Sequence, residues 1–392
     1  MSSSNNSHDH QDQEQGIPPP STAFHMRQLL VSCADLISQS DFSAAQRLFS
    51  HLLSSNSSPY GDSTERLVRQ FVRALSFRLN HHSTPTRTST APLDFSPPFP
   101  PPCTTNTNNK MMMMISYEST DQETLRSCYL SLNHITPFIR FCHLTANQAI
   151  LEAIQVGQQA IHIIDFDIMH GVQWPPLMQA LADRSNNTLH PPPMLRITGT
   201  GHDLNILQRT GDRLLKFAHS LGLGFQFHPL LLLNNDPTSL ALHLPSAITL
   251  LPDEALAVNC VLYLHRFLKD DSQVPGGLGS LHSSLRFLGG NPTPNNRERL
   301  AVEQIWFGRE IMDIVAAEGE GRRERHQRFE TWEMLLKSVG FRNVPLSPFA
   351  LSQAKLLLRL HYPSEGYQLQ ILNNSFFLGW QNHSLFSVSS WH

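Results

Sequence analysis

Apolar positions between Met26 and Leu79 recur at helical spacing in three successive runs. Met26, Leu29, Leu30, Cys33, Leu36 and Ile37 make one face, and Phe42, Ala45, Leu48, Phe49 and Leu52 make the next behind a Ser40-Asp41 cap. After the turn at 57–59, Leu67, Val68, Phe71, Leu75 and Leu79 point inward, with Arg66, Arg69, Arg73 and Arg78 toward water. The pattern predicts a leucine-rich helical lobe. The same period returns with Leu125, Tyr129, Leu132 and Ile135. It resumes behind a Thr145 cap with Ala149, Ile150, Ala153 and Ile154, until Gly157 stops it.

At 161 the period changes. Ile161, His162, Ile163, Ile164 and Asp165 form a short β-branched run suited to a buried parallel strand, and a crossover helix follows from Pro175 and Pro176. Met194–Thr198, Gly224–His228 and Ala255–Leu262 read as further strands, with a helix carrying Leu204, Leu207, Leu214, Phe217 and Leu221 between the first two. Strand and helix in alternation predict an α/β fold on a mostly parallel, doubly wound sheet. Helices are expected around Arg299–Ala316 and Arg325–Val339, a strand over Lys355–Tyr362, and then an antiparallel meander on the sheet edge over Tyr367–Leu372, Phe376–Trp380 and Leu385–Trp391. Residues 1–22 are a polar tail, and 81–117, rich in Thr, Pro, Asn and Met, read as a disordered insertion.

Composition narrows the function. The 392 residues carry 29 Lys and Arg against 32 Asp and Glu, a net charge of −3, which argues against a general nucleic-acid wrapper. Charged residues make up only 16%, where about 25% is usual. Five Cys without a Cys-x-x-Cys pair suit a reducing compartment and no structural zinc. The opening residues have no apolar stretch, so no secretory signal is expected, and no run approaches the length of a membrane helix.

The loops after Asp165 and Thr198 are where a doubly wound sheet binds ligands. A nucleotide site needs glycines there, because only bare backbone lets a phosphate approach. The first loop has Asp167 and Met169 instead, and the second has Gly199 and Gly201 but Leu204 in the third slot, so tight-turn duty is the better account of the pair. Asp165 with Asp167 lacks a third ligand for a metal, and His162 suits a satisfied core residue. No nucleophile-elbow, zinc-helix or phosphate-loop pattern occurs. We therefore expect no catalytic, cofactor or metal residues. Arg322, Arg323 and Arg325 are a candidate basic patch, with a solvated helix face laced by ion pairs as the plainer reading.

The stretch from Ile161 to Leu181 resembles the VHIID motif of the plant GRAS family of transcriptional regulators. It is joined by Leu195–Gly199, by leucine-rich segments at about 26–80 and 242–268, and by Arg297 and Glu298, which resemble the end of the PFYRE region. Trp332, Gly340, Trp380 and Trp391 resemble the SAW region, with Ser390 where the name-giving Ala stands. Residues 251–265 and 380–391 look most like the Lateral suppressor subgroup, which is associated with axillary meristems and shoot branching. The resemblance implies one domain over 23–392. Its helical cap would lie at 23–80 and 118–157, and a Rossmann-like, methyltransferase-like core at 158–392. It further implies a nuclear regulator without catalysis that contacts DNA mostly indirectly. DNA-binding transcription factors would be its partners, homo- or hetero-dimers with other GRAS proteins a further expectation, and membranes no part of its setting. Leu29, Leu36, Leu67, Phe71, Leu262 and Leu268 are the candidate interaction residues. A small-molecule methyltransferase using S-adenosylmethionine and a direct DNA-binding protein are the rival readings. The tail is too short for the degron region of the DELLA subgroup. Between Leu268 and Arg297 the family's further strand and helices have no full counterpart, which predicts an opened sheet edge and a marginally stable core.

Overall fold

A computed structural model describes residues 22–54, 63–82, 122–186, 191–232, 244, 246–268, 296–381 and 383–392. Residues 1–21 of the expected 1–22 tail, nearly all of the insertion and most of the shortened segment lie outside these residues, and Thr22 opens the first helix. Three helices, α1 (Thr22–Ser38), α2 (Phe42–Ser54) and α3 (Ser63–His82), open the chain. Asp41 caps α2 through its carboxylate, which accepts from the Ala44 N–H. α4 (Gln122–Ile135) and α5 (Phe138–Ala153) follow. α5 starts directly after Pro137, so Thr145 is a buried mid-helix residue and not the cap expected from the sequence.

The strands β1 (Ala160–Asp165), β2 (Met194–Gly201), β3 (Phe225–Leu231) and β4 (Glu254–Asn259) form one parallel sheet in the order β3-β2-β1-β4. The order reverses between β1 and β4, the switch point where such sheets bind ligands. Helices α6 (Trp174–Asn186) and α7 (Leu204–Ser220) cover one face through a cluster built on Ile161, Ile163, Leu177, Leu195, Ile197 and Leu214. Among the described strands β4 has a neighbour on one side only. Leu256 and Val258 on it are 47% and 57% exposed, and the segment expected to lack the family's further strand lies outside the described residues.

The remaining chain departs from expectation in four places. α8 (Asn296–Ala301), a π-helical turn (Val302–Phe307) and α9 (Gly308–Ala316) do not belong to the sheet core. Val302, Phe307, Ile311 and Val315 complete the apolar cluster of α1–α3 instead. Arg66, read as water-facing, therefore pairs with Glu303 of the π turn at 2.9 Å. Residues 322–328 are extended, and the helix begins only at α10 (Phe329–Ser338). The segment taken for a strand at 355–362 lies in α11 (Pro348–His361), started by the Ser347 hydroxyl cap and Pro348, with Ala350 and Ala354 buried at helical spacing. Finally, β6 (Tyr367–Leu372), β7 (Ser375–Trp380) and β8 (His383–Val388) make their own antiparallel sheet rather than an edge of the parallel one, and β5 (Asn343–Val344) pairs with β9 (Ser390–Trp391). No described helix is long and apolar enough to cross a membrane.

Candidate functional site

Strand β1 sits at the centre of the sheet, and its five motif residues are all buried. Ile161 and Ile163 face α6 and α7. His162 and Ile164 face the other side. Arg196, in register with His162, donates to its Nδ1 at 3.1 Å, so the ring proton must sit on Nε2, which donates to the Thr198 hydroxyl at 2.8 Å. Burial, then the Arg196 charge, keeps His162 below its ordinary pKa and neutral. Arg196 itself is neutralised by Glu254 at the start of β4, with Nε to Oε1 at 3.0 Å.

Asp165 ends the strand as a latch. The Trp174 indole donates to Oδ2 at 2.8 Å and the Asn259 amide to Oδ1 at 2.6 Å, which joins β1 to α6 and to the end of β4. Gln173 extends the network from Asn259 to Asn147 of α5. Burial pushes the Asp165 carboxyl up to about 7 against the pull of these two donors. Every oxygen of this carboxylate is engaged within the fold.

The loop after β1 is closed in the same way. Asp167 and Met169 take left-handed backbone angles, φ 61° and 50°, where a nucleotide cradle would use glycine. The Asp167 N–H donates to the Thr200 hydroxyl, and the carboxylate faces Arg266 at 3.6 Å. Met169 packs against the helical-lobe cluster while Arg126 of α4 donates to its carbonyl. Gly199 and Gly201 close β2 and make no turn. A Cβ on Gly199 would lie 2.9 Å from both Ile168 and Phe227, so close side-chain packing is what requires the glycine. Asp167 and Met169 thus put side chains where a dinucleotide or adenosyl cradle would use bare backbone, along the wall of a cleft of about 2250 Å³.

A second polar group lies beside it, at a cleft of about 2250 Å³. His265 Nε2 and His326 Nε2 stand 2.6 and 3.4 Å from the same oxygen of Glu324, with the rings stacked at 5.0 Å. Burial alone would raise the Glu324 carboxyl, but His265, His326 and Arg266 together hold it well below the ordinary range. Burial depresses His265, whereas Glu324 overcomes burial and raises His326.

The sequence-derived residues are scattered. Leu67 and Phe71 are core; Leu29, Leu36, Leu262 and Leu268 are half-buried, the first three against the helical lobe. Arg325 is buried and donates to the Gly319 carbonyl, Arg322 donates to the Ala317 carbonyl, and Arg323 is exposed, so the extended segment spreads the three cations. Arg297 and Glu298 stand on α8, where Glu298 meets His134 at 3.3 Å. Trp380 is buried against Tyr367, Gly340 turns the chain after α10 at φ 100°, Trp332 is half-buried on α10, and Trp391 donates to Ser389. Sequence reading missed Glu254, Asn259 and Glu303. An arginine in the middle of the apolar strand 194–198 was the one signal that a buried acid had to lie opposite.

The profile of the GRAS domain family matches residues 26–288 and 280–392. Scarecrow-like protein 18 of Arabidopsis thaliana is 48% identical over 411 aligned positions, covering 93% of this chain and 91% of the relative. MONOCULM 1 of Oryza sativa is 39% identical over 93% of this chain and 88% of its own length. Each alignment is longer than this whole chain, so both relatives hold stretches without a counterpart here. The crystal structure of SCL7 from Oryza sativa superposes with a TM-score of 0.67 at 28% identity, over 94% of this chain and 99% of that one.

Proposed function

The chain belongs to the GRAS domain family, and from that premise we propose that it is a nuclear transcriptional regulator acting as a non-catalytic scaffold. It gathers DNA-binding transcription factors, pairs with other GRAS proteins, and reaches DNA mostly through those partners. Its setting is shoot and axillary meristem development, a reading supported by the Lateral suppressor-like residues at 251–265 and 380–391 and by the likeness to MONOCULM 1.

The observation that supports the scaffold reading is the loop after β1, where side chains stand in place of glycines. At the one place where this sheet type offers bare backbone to a cofactor, Asp165 latches Trp174 and Asn259, and Met169 is inserted against the helical lobe. A motif devoted to joining sheet, helix and cap makes a rigid platform. The net charge of −3 adds no general attraction to phosphates.

The test is promoter occupancy. Labelled promoter DNA in plant nuclear extract should retain the full chain, and purified chain alone should bind it weakly at any salt. Salt-dependent binding of the purified chain at nanomolar levels would favour direct DNA recognition instead. Calorimetric binding of S-adenosylmethionine would favour the methyltransferase.

A further inference from the structure

Helix α11 buries Ala350 and Ala354, and half-buries Leu357 and Leu358, against α5 and the meander, yet another side of it is also apolar. Phe349, Leu356 and Leu360 are 59%, 46% and 62% exposed. At 100° per residue they fall within roughly 40° of arc, one stripe along three turns. Their spacing of seven and then four residues is that of a heptad seam, with Gln353 filling the intermediate position. A helix with a second apolar stripe facing water is one that expects a partner.

Charge indicates which partner. Lys355 and Arg359 lie together on one flank of the stripe, four residues apart, and His361 ends the helix. All three are exposed, and the helix contains no acidic residue. Basic residues near a helix C-terminus complement the macrodipole, which accounts for Arg359 and His361 but not for the apolar stripe beside them. A second copy of α11 would set like charges against like, so this face is not self-complementary. At the helix start the Leu346 N–H, two residues before α11, bonds the Asn374 carbonyl in the β6–β7 turn, and Ile371 and Leu372 at that end of β6 are also exposed.

We propose that the outer face of α11 is a docking site for an amphipathic helix of another protein, with Leu-type residues at heptad spacing and Asp or Glu along the flank that meets Lys355 and Arg359. The occupant binds helix against helix, its apolar residues on Phe349, Leu356 and Leu360. This surface is separate from the leucine-rich segments and does not rest on the regulator reading, because binding is read directly.

The experiment titrates the full chain with three fluorescein-labelled 21-residue helical peptides. One has leucines at heptad spacing flanked by Glu, one has the same leucines flanked by Lys, and one has the Glu composition scrambled. Anisotropy should rise for the first alone at micromolar chain. The exposed-site variant Leu356→Ser/Leu360→Ser should weaken it by about tenfold or more, and Lys355→Glu/Arg359→Glu should shift preference to the Lys-flanked peptide. Unchanged circular dichroism and melting of both variants separates docking from misfolding. Equal binding of the two flanked peptides, or binding indifferent to both variants, overturns the proposal. So does self-association of the chain that Leu356→Ser/Leu360→Ser abolishes, since the occupant would then be a second copy.

Discussion

Strands β1 and β4 are neighbours in one sheet, paired residue for residue from Ala160 with Glu254 to Asp165 with Asn259, and they are built on different terms. β1 has a strand on either side and helices on one face, and every polar side chain it carries is held. β4 has β1 on one side and two exposed apolar residues facing outward, Leu256 and Val258, on the face shared with His162 and Ile164. Same sheet, same register and similar composition therefore give a rigid centre and an open margin. Burial and hydrogen-bond satisfaction, not strand propensity, set the energetic weight of a position.

Substitution can break that contrast. Trp174 is fully buried and holds Asp165, so Trp174→Ala should cost about 3–5 kcal/mol in a urea melt. A loss below 1 kcal/mol would mean that the latch is ornamental. The Asp165 carboxyl supplies a second, pH-dependent measure. Its folded pKa of about 7 lies above the ordinary value of 3.8, so the folded state holds the proton more tightly. Its contribution to stability is fully present below pH 4 and is lost as pH rises toward 7, by about 1.4 kcal/mol per unit at most. Asp165→Asn should remove that slope while leaving the rest of the profile, read by thermal melts from pH 4 to 8. At the margin the effect should be smallest. Leu256→Ser or Val258→Ser should change stability by only about 0.5 kcal/mol and reduce aggregation on heating. If the edge variants cost as much as Trp174→Ala, the margin is covered and the contrast between the strands falls.

Much of this architecture could be read from residue patterns, and the exceptions share a cause. β1–β4 were legible because β-branched runs between helical periods have few other readings. Helix α11 was misjudged because Leu356, Leu357 and Leu358 form an unbroken apolar run without visible period. The run arises because the helix has apolar residues on two sides, and the start signal at Ser347 and Pro348 outweighs it. Segment 322–328 looked helical from its alternating charges, yet the Arg323 and Glu324 N–H groups bond Asp313 of α9 and hold it extended. Of the site, Asp165, His162 and the filled loop after β1 were anticipated. The polar groups that complete it were not, since Glu254 and Asn259 meet their partners only through strand pairing, and Glu303 reaches Arg66 across 237 positions.

That last pairing bears on how the molecule is made. The lobe begun by α1, α2 and α3 has no finished interior until Val302, Phe307, Ile311 and Val315 arrive. During synthesis the first helices leave the ribosome early, and the residues that close them emerge more than 200 positions later. At roughly 5–20 residues per second, the apolar sides of Leu67, Phe71 and Leu75 stay open for at least ten seconds or so. Contacts of such sequence separation are slow to form, because loop closure must be paid before they are made.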